Sequence, residues 1–343
     1  MSAASAGISP DILMMGADHV SIFATEDALI DLVPHMRRTG FDPGDFIDAF
    51  SWDYRINNGA GMIAIPCGRS TPILYVNMDI FNSMGLSPPT TWDEWRTIAE
   101  AMVIRQGAEV TRFGLALPSN DTWYWFMVVA QAGGQFVNSE RTGLGCVEDG
   151  TAVEAFTFLQ DLHKSGAMFY GSGSAGIQLF REGRTAMLIT SVASLGGIST
   201  TVDFNWNVVH VPRGRVQVVP TGGNAVAIMD ASSVQEEAWS YLDWFLKDPN
   251  GVLSYIIGSG YLPITQSMAN SDTMRNEWNR VPQKRIAFDQ LQFANDRGHR
   301  IPEVGDITNP LLDLAQAVMH DNADVRTQID VLARNVADIL RQR

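Results

Sequence analysis

Short apolar runs alternate with amphipathic segments along this chain, and that alternation limits the folds it can adopt. The runs at residues 11–15, 62–65 and 73–76 are short and, apart from Asp11, apolar, as buried strands are. Residues 151–165 instead repeat apolar side chains at helical spacing. Strands that alternate with helices in this way predict α/β layers with much parallel sheet. Because 343 residues exceed the usual size of one hydrophobic core, we expect two domains.

Two segments have the capping-box pattern, in which a Ser or Thr and a Glu three residues later bond the free amides at a helix start. Thr91 with Glu94 is one such pair, and Ser233 with Glu236 is the other. Each pair predicts a helix that begins there. Further strands are expected at residues 113–117, 187–189, 208–211, 216–219 and 225–229.

The charge and the cysteines exclude several classes of partner. A formal net charge of −14 argues against nucleic acid or an anionic membrane, since either favours a basic face. No apolar run approaches the roughly 18 residues of a membrane span, and residues 1–10 lack the features of a signal peptide. Cys67 and Cys146 have no metal-binding or CxxC spacing, so no metal is predicted. The sequence leaves open whether these two cysteines pair.

The letters of Gly171-Ser-Gly-Ser-Ala-Gly176 match the dinucleotide fingerprint. No clear strand is predicted before them, so we interpret the segment as a flexible loop before a helix, and no cofactor is predicted. A nucleophile elbow, a zinc-protease motif and a phosphate-loop lysine are all absent from the sequence. Carboxylates are plentiful, but their spacing singles out no acid/base pair, so a carbohydrate hydrolase is kept only as an alternative.

Aromatic side chains beside polar turns favour a cleft that binds a sugar, because a ring can stack on the apolar face of a sugar while nearby polar groups bond its hydroxyls. Gly258-Ser-Gly-Tyr-Leu-Pro-Ile-Thr265 is the most distinctive such stretch. Its glycines permit backbone rotation and Pro263 fixes the exit direction, so we predict a hinge that also contacts ligand through Tyr261. The other aromatic candidates are Trp52, Trp123, Tyr124, Trp125 and Trp206.

Several ordered segments together resemble the extracellular solute-binding proteins of ABC importers, in the group that binds sugars and glycerol phosphate. They are Ser9-Pro-Asp11-Ile, Ser70-Thr-Pro-Ile-Leu-Tyr-Val-Asn-Met-Asp79 with Phe81, Gly85-Leu, Pro89-Thr-Thr-Trp-Asp-Glu94, Thr221-Gly-Gly-Asn224 and Gly260-Tyr-Leu-Pro-Ile-Thr265. The resemblance covers nearly the whole chain. The Ser-Thr-Pro and Gly-Tyr-Leu-Pro-Ile-Thr stretches are shared in particular with glycerol-3-phosphate-binding proteins.

This resemblance implies a two-lobed α/β fold of the periplasmic-binding-protein type, class II, with ligand between lobes joined by three crossings. Residues 1–77 and 219–258 would form the first lobe, and residues 78–218 and 259–343 the second. The implied function is non-catalytic capture of a sugar, polyol or glycerol phosphate for an ABC permease. The implied location is periplasmic or extracellular, and a monomer is expected.

Site residues follow from the same resemblance, position by position. Ser70 and Thr71 would face the cleft from the first lobe. The other implied contacts are Asp18, Ser119, Trp123, Ser194, Gly223, Asn224, Tyr261 and Arg300. A guanidinium at Arg300 could hold a phosphate bidentately or bond sugar hydroxyls.

Two departures from the family pattern are visible. Family members begin with a signal peptide and then a strand, a helix and a strand before the point that corresponds to Met1. The resemblance therefore implies a first lobe that lacks its first strands, as a misplaced start codon or a partial gene would produce. At the position where glycerol-phosphate binders carry an acidic cleft residue, this chain has Ala17, with Asp18 beside it. Besides a solute-binding protein and a carbohydrate hydrolase, the sequence is therefore also compatible with a third interpretation, a truncated product that is non-functional or serves only in interactions.

Overall fold

The computed structural model describes residues 9–119, 121–295 and 301–342. The chain forms two compact units. The first holds the chain up to Ser70, then Thr221–Lys284 and a short piece that ends at Val304. The second holds Thr71–Pro220, the segment that begins at Arg285, and the chain from Gly305 onward.

Eleven strands are present in the described part of the chain. In chain order they are β1 Ile12–Gly16, β2 Arg55–Ile56, β3 Gly61–Met62, β4 Ile65–Ser70, β5 Pro72–Asn77, β6 Ile104–Gln106, β7 Glu109–Pro118, β8 Met168–Gly171, β9 Thr185–Ser191, β10 Trp206–Val209 and β11 Gly222–Ile228.

The α-helices are short in the first half of the chain and longer towards its end. In chain order they are α1 Val20–Thr25, α2 Val33–Arg38, α3 Asp48–Ser51, α4 Met78–Met84, α5 Trp92–Ala101, α6 Trp123–Gln131, α7 Gly145–Glu148, α8 Thr151–Lys164, α9 Gly173–Arg181, α10 Leu195–Ser199, α11 Gln235–Lys247, α12 Ser254–Gly258, α13 Gln266–Ala269, α14 Asp272–Arg280, α15 Pro282–Asp289, α16 Val304–Met319 and α17 Val325–Arg341. Short 3-10 turns include Ala17–His19, Trp52–Tyr54 and Val192–Ser194.

The first unit is built on a three-stranded antiparallel sheet in the order β1-β11-β4. Its core includes Trp239 and Leu242 of α11, which are buried against the apolar side chains of β4 and β11. The core also takes up Met62 and Tyr54 from the segment before β4. This sheet carries the strand ends at which the first group of candidate site residues lies.

The second unit is built on a larger sheet in the order β10-β5-β9-β7-β6, with β8 beside β7. Strands β8 and β9 both run parallel to β7, and β5 and β10 run antiparallel to their neighbours. Burial of β9 and of the second half of β7 is nearly complete, which explains the apolar runs at 186–189 and 115–117. The carboxyl ends of β7, β8 and β9 therefore meet at one edge of the sheet.

The observed division of the chain differs from the predicted boundaries most extensively in two segments. Residues 72–77 pair with β9 and β10, so they belong to the second unit although the first lobe was predicted to extend to residue 77. Residues 259–284 belong to the first unit. The Leu262 amide bonds the Arg69 carbonyl at 2.9 Å, and the Ile47 amide bonds the Ile264 carbonyl at 3.0 Å, so the predicted hinge stretch is held inside that unit.

The local sequence patterns predicted some helix starts and strands correctly and others wrongly. Thr91 and Glu94 form the predicted capping box at the start of α5. The Ser233 box was wrong: α11 begins after Val234 without a side-chain cap, and Glu236 forms an ion pair with Arg38 instead. Residues 216–219 form no strand, and only Val219 makes an isolated bridge, to Ala294.

The segment 171–176 leads into a helix as predicted, but the expectation that no strand precedes it was wrong. Strand β8 ends at Gly171, and α9 begins two residues later. The Ser172 hydroxyl accepts a hydrogen bond from the Ala175 amide at 3.2 Å and so caps the helix. The segment joins β8 to α9 and lies at the edge described above.

None of the helices in the described ranges combines the length and the apolar character needed to cross a lipid bilayer.

Candidate functional site

In the first unit, the sequence-predicted residues gather where three strands end. Strand β1 ends at Gly16, opposite Asn224 of β11, and β4 ends at Ser70, opposite Gly222. Because the strands are antiparallel, the end of β1, the start of β11 and the end of β4 share one edge. Asp18 follows β1 on an exposed 3-10 turn, whereas Ser70 is buried. We call this group of strand ends the first-unit edge.

Gly223 fixes the backbone of this edge. Its φ angle of +106° is one that side-chain-bearing residues rarely adopt. A Cβ atom at this position would also lie 2.0 Å from the Gly68 carbonyl oxygen. The strand register shifts between Gly223 and Asn224, as in a β-bulge, which re-aims the residues that follow.

Tyr261 lies beside this edge and is paired with a residue that sequence reasoning missed. The rings of Tyr255 and Tyr261 are 5.3 Å apart between centroids and tilted by 40°. A Cβ atom on Gly68 would lie 3.0 Å from the Tyr255 ring and 3.3 Å from the Tyr261 ring, so the pair lies directly on that glycine. Burial and the adjacent Tyr261 raise the pKa of Tyr255 to about 12. No sequence signal links Tyr255 to Gly68, because their contact is long-range.

Arg69 is the second residue that sequence reasoning missed at this edge. It is fully buried, and its guanidinium donates to the Tyr54 hydroxyl at 2.7 Å and to the Thr221 hydroxyl at 3.1 Å. The same group lies 5.3 Å from the centre of the Phe50 ring. Burial raises the pKa of the nearby Cys67 thiol to about 11, and the charge of Arg69 partly opposes that rise. Ser70, the next residue, was a predicted contact, whereas the burial of Arg69 was not predicted from the sequence.

In the second unit, the predicted residues again lie at strand ends. Ser119 follows β7, and its amide bonds the carbonyl of Gly171, the last residue of β8, at 2.7 Å. Ser194 ends the 3-10 turn that follows β9, and among the described residues its side chain receives no capping bond from α10. Ligands of α/β proteins commonly bind at the carboxyl ends of parallel strands, so this second-unit edge is a suitable place for a site.

Trp123 opens α6 just beyond Ser119. Its ring is 5.6 Å from the Tyr124 ring, and its amide bonds the Asp121 carboxylate at 2.9 Å. The indole Nε1 is buried and has no hydrogen-bond partner among the residues that the structure describes. A buried donor without a partner costs free energy, so a ligand oxygen that accepted this bond would bind favourably.

Thr71 precedes β5 at the second-unit edge, and protein groups already use its hydroxyl. This hydroxyl donates to the Pro220 carbonyl at 3.2 Å and accepts a bond from the Gln290 amide at 3.2 Å. Thr71 is fully buried. Its contact with ligand therefore stays a prediction. Arg300, the last predicted contact, lies outside the described residues.

Comparison with known proteins identifies the family. A family profile described as bacterial extracellular solute-binding protein matches residues 1–282 of the 343. The chain belongs to this solute-binding family. The sn-glycerol-3-phosphate-binding periplasmic protein UgpB of Brucella abortus (strain 2308) is 25% identical over 339 residues, covering 90% of this chain and 75% of that protein.

Two solved structures establish the fold of this solute-binding protein. UgpB from Mycobacterium tuberculosis in complex with glycerophosphocholine superposes with a TM-score of 0.86 at 22% identity, covering 99% of this chain and 86% of that one. An ABC substrate-binding protein from Listeria monocytogenes in complex with cycloalternan gives a TM-score of 0.86 at 17% identity, covering 99% and 87%. The predicted fold class, a two-lobed α/β fold of the periplasmic-binding-protein type, is confirmed.

Proposed function

We propose that this protein captures a small polar solute for an ABC permease. The preferred candidate is a glycerol phosphate or one of its diesters, and the second candidate is a sugar or polyol. The observation that carries the proposal is that nine of the ten predicted contacts, all except Arg300, lie at or beside the two strand-end edges. The 25% identity to a glycerol-3-phosphate-binding protein supports the preference for a glycerol phosphate over a sugar or polyol.

The chemistry of the two edges suits such a solute. The first-unit edge offers the aromatic faces of Tyr255 and Tyr261 and the side-chain amide of Asn224, and the second-unit edge separately offers the Trp123 ring with its indole donor. We propose that binding is non-catalytic, that the protein acts in the periplasm or outside the cell, and that it is a monomer. The family to which it belongs supports the location.

The test is a binding screen against glycerol 3-phosphate, glycerophosphocholine, maltose and ribitol. Ligand that binds only the folded state raises the melting temperature with concentration, by an amount set by the ratio of concentration to Kd. We expect a concentration-dependent rise with glycerol 3-phosphate or glycerophosphocholine, confirmed by calorimetry. A response to none of the four compounds contradicts the proposal, and turnover of a chromogenic glycoside would favour the hydrolase instead.

A further inference from the structure

A buried lysine lies behind the loop that carries Tyr261. Lysine is rare in this protein: Lys164, Lys247 and Lys284 are the three among 343 residues. Lys284 is 2% exposed, although lysine is almost never fully buried unless it is paired. It is also the last residue of the segment Thr221–Lys284 of the first unit. The burial of this charge calls for a physical reason.

Three acceptors surround the Lys284 ammonium. Its Nζ atom lies 3.0 Å from the Ile256 carbonyl oxygen, 3.1 Å from the Ile257 carbonyl oxygen and 2.6 Å from Oε1 of Glu277. An ammonium has three donors, so all of them are used. Glu277 is itself buried, and its second oxygen accepts a bond from Arg280 Nε at 2.9 Å. The two positive side chains thus share one buried carboxylate.

The two carbonyl groups belong to the last turn of α12. The final carbonyls of a helix have no partner within the helix and carry its negative dipole end, which a cation stabilises. Beyond this turn the chain becomes extended at Ser259 and reaches Tyr261 two residues later. Lys284 therefore fixes the point from which the Tyr261 loop leaves the helix.

The other side of the loop is held by the first-unit edge. The Leu262 amide donates to the Arg69 carbonyl at 2.9 Å, and the Tyr261 ring packs beside Gly68. Tyr261 lies between these two attachments, directly after Ser259 and Gly260, which are in neither a helix nor a strand. Removal of either attachment leaves the ring tethered on one side.

From these contacts we propose that Lys284 is a positioning residue for solute binding: through the Ile256 and Ile257 carbonyls it holds the Tyr261 ring in place at the first-unit edge. This inference rests on the proposed function for the role of Tyr261 as a ligand contact. The ion pair with Glu277 balances the buried charge of Lys284. The hydrogen bonds to the two carbonyls are what hold the end of α12, and with it the Tyr261 loop, in place. Buried ion pairs on their own give little net stability, so the pair does not explain the lysine by itself.

Two variants separate these roles. Lys284→Met removes the carbonyl bonds and the ion pair, whereas Glu277→Gln removes the ion pair and leaves the carbonyl bonds. Both break a buried charge network, so both should lower the melting temperature. Only Lys284→Met should speed amide hydrogen exchange at Ser259 and Leu262, by about tenfold or more relative to β11, because the last turn of α12 then opens locally. Equal exchange in the two variants overturns the inference, whatever ligand the protein binds.

Binding gives the second readout. With glycerol 3-phosphate as the probe, or glycerophosphocholine if that alone binds, Lys284→Met should weaken affinity about tenfold and Glu277→Gln less than about twofold. In a Tyr261→Ala background, Lys284→Met should cause no further loss, because the side chain that it positions is gone. Additive losses in the double variant overturn the inference. If the unaltered protein binds neither compound, the proposed function fails for glycerol phosphates, and the exchange experiment still decides the role of Lys284.

Discussion

Gly223 approaches Gly68 so closely that a Cβ atom on Gly223 would lie 2.0 Å from the Gly68 carbonyl oxygen. This contact brings the start of β11 onto the end of β4, and it places Asn224 and Ser70 at a common edge. No L-amino acid with a side chain fits there without displacing backbone. The glycine is therefore required by the geometry of the edge.

Gly223→Ala should destabilise the protein more than a glycine substitution that meets no neighbour. Gly85 is the matched control, because its φ is +64° and a Cβ atom there would have nothing within 4 Å. Both variants pay about 1 kcal/mol for the positive φ, and Gly223→Ala should cost at least about 2 kcal/mol more for the collision. Urea unfolding of the two variants measures the difference. Equal losses would contradict this account of the edge.

Trp123→Phe should separate stability from affinity. The variant removes a buried indole donor that has no partner among the described residues, so the free energy of unfolding should stay the same or rise by up to about 1 kcal/mol. Affinity for the solute should fall about tenfold if a ligand oxygen accepts that bond.

The measurements are thermal melting and calorimetric titration on the same preparations. The control is Trp244→Phe, because that tryptophan is exposed on α11 in the first unit. A loss of stability in Trp123→Phe with unchanged affinity would make Trp123 a packing residue.

Tyr261→Ala should reduce solute affinity strongly while costing only modest stability. The ring is partly buried against the first-unit core and packs at a tilt against Tyr255, so we expect a cost of about 1 to 2 kcal/mol. Tyr241→Ala is the control, since Tyr241 is a 52% exposed ring on α11 and should leave affinity unchanged. Calorimetry with glycerol 3-phosphate and a melting curve test both expectations. A loss of more than about 4 kcal/mol would place the ring in the core, as Phe→Ala core substitutions do.

The parts of this fold that the sequence predicted are those determined by local interactions. Thr91 and Glu94 lie three residues apart, so their mutual capping is visible in the sequence. Ser233 and Glu236 have the same spacing, yet Glu236 pairs with Arg38 from a distant part of the chain. A pattern of neighbouring residues does not reveal a competing partner that is distant in the sequence.

The candidate site shows the same division. Ser119 and Ser194 follow predicted strands, so the second-unit edge was largely expected from the sequence. The Tyr255 pair with Tyr261, the burial of Arg69 and the bonds from Lys284 to α12 all depend on tertiary contacts. The predicted hinge at 258–265 failed as a unit boundary for the same reason, because Leu262 and Ile264 bond strands and turns of the first unit.

The two thiols should be inert in the folded protein. Both cysteines are free and buried, and they lie in different units. Burial raises the pKa of Cys67 to about 11 and that of Cys146 to about 12, so almost no thiolate is present at pH 8. Under native conditions we expect neither thiol to react with a disulfide reagent within minutes, and both to react in urea. Rapid reaction of one thiol in the native protein would contradict its burial.

Protonation of His163, which lies in the second unit, should lower the free energy of unfolding at acidic pH. Burial, and then the neighbouring His320, hold the pKa of His163 below its ordinary value of 6.5. The ring donates its Nδ1–H to the Met168 carbonyl at 3.1 Å, and its plane lies at 77° to that of His320. A folded-state pKa below the unfolded value means that the unfolded chain binds the proton first. The free energy of unfolding should therefore fall as the pH drops below about 6.5, by at most about 1.4 kcal/mol per pH unit for one group.

His163→Gln should flatten that dependence, and the matched control is His19→Gln, a substitution of an exposed histidine in the first unit. Urea unfolding at pH 7.5, 6.5 and 5.5 measures the slopes. The carboxylates add their own pH dependence at lower pH, and both variants retain it, so the difference between the two slopes isolates the imidazole. Identical slopes in the two variants would show that His163 gains its proton equally in the folded and unfolded states.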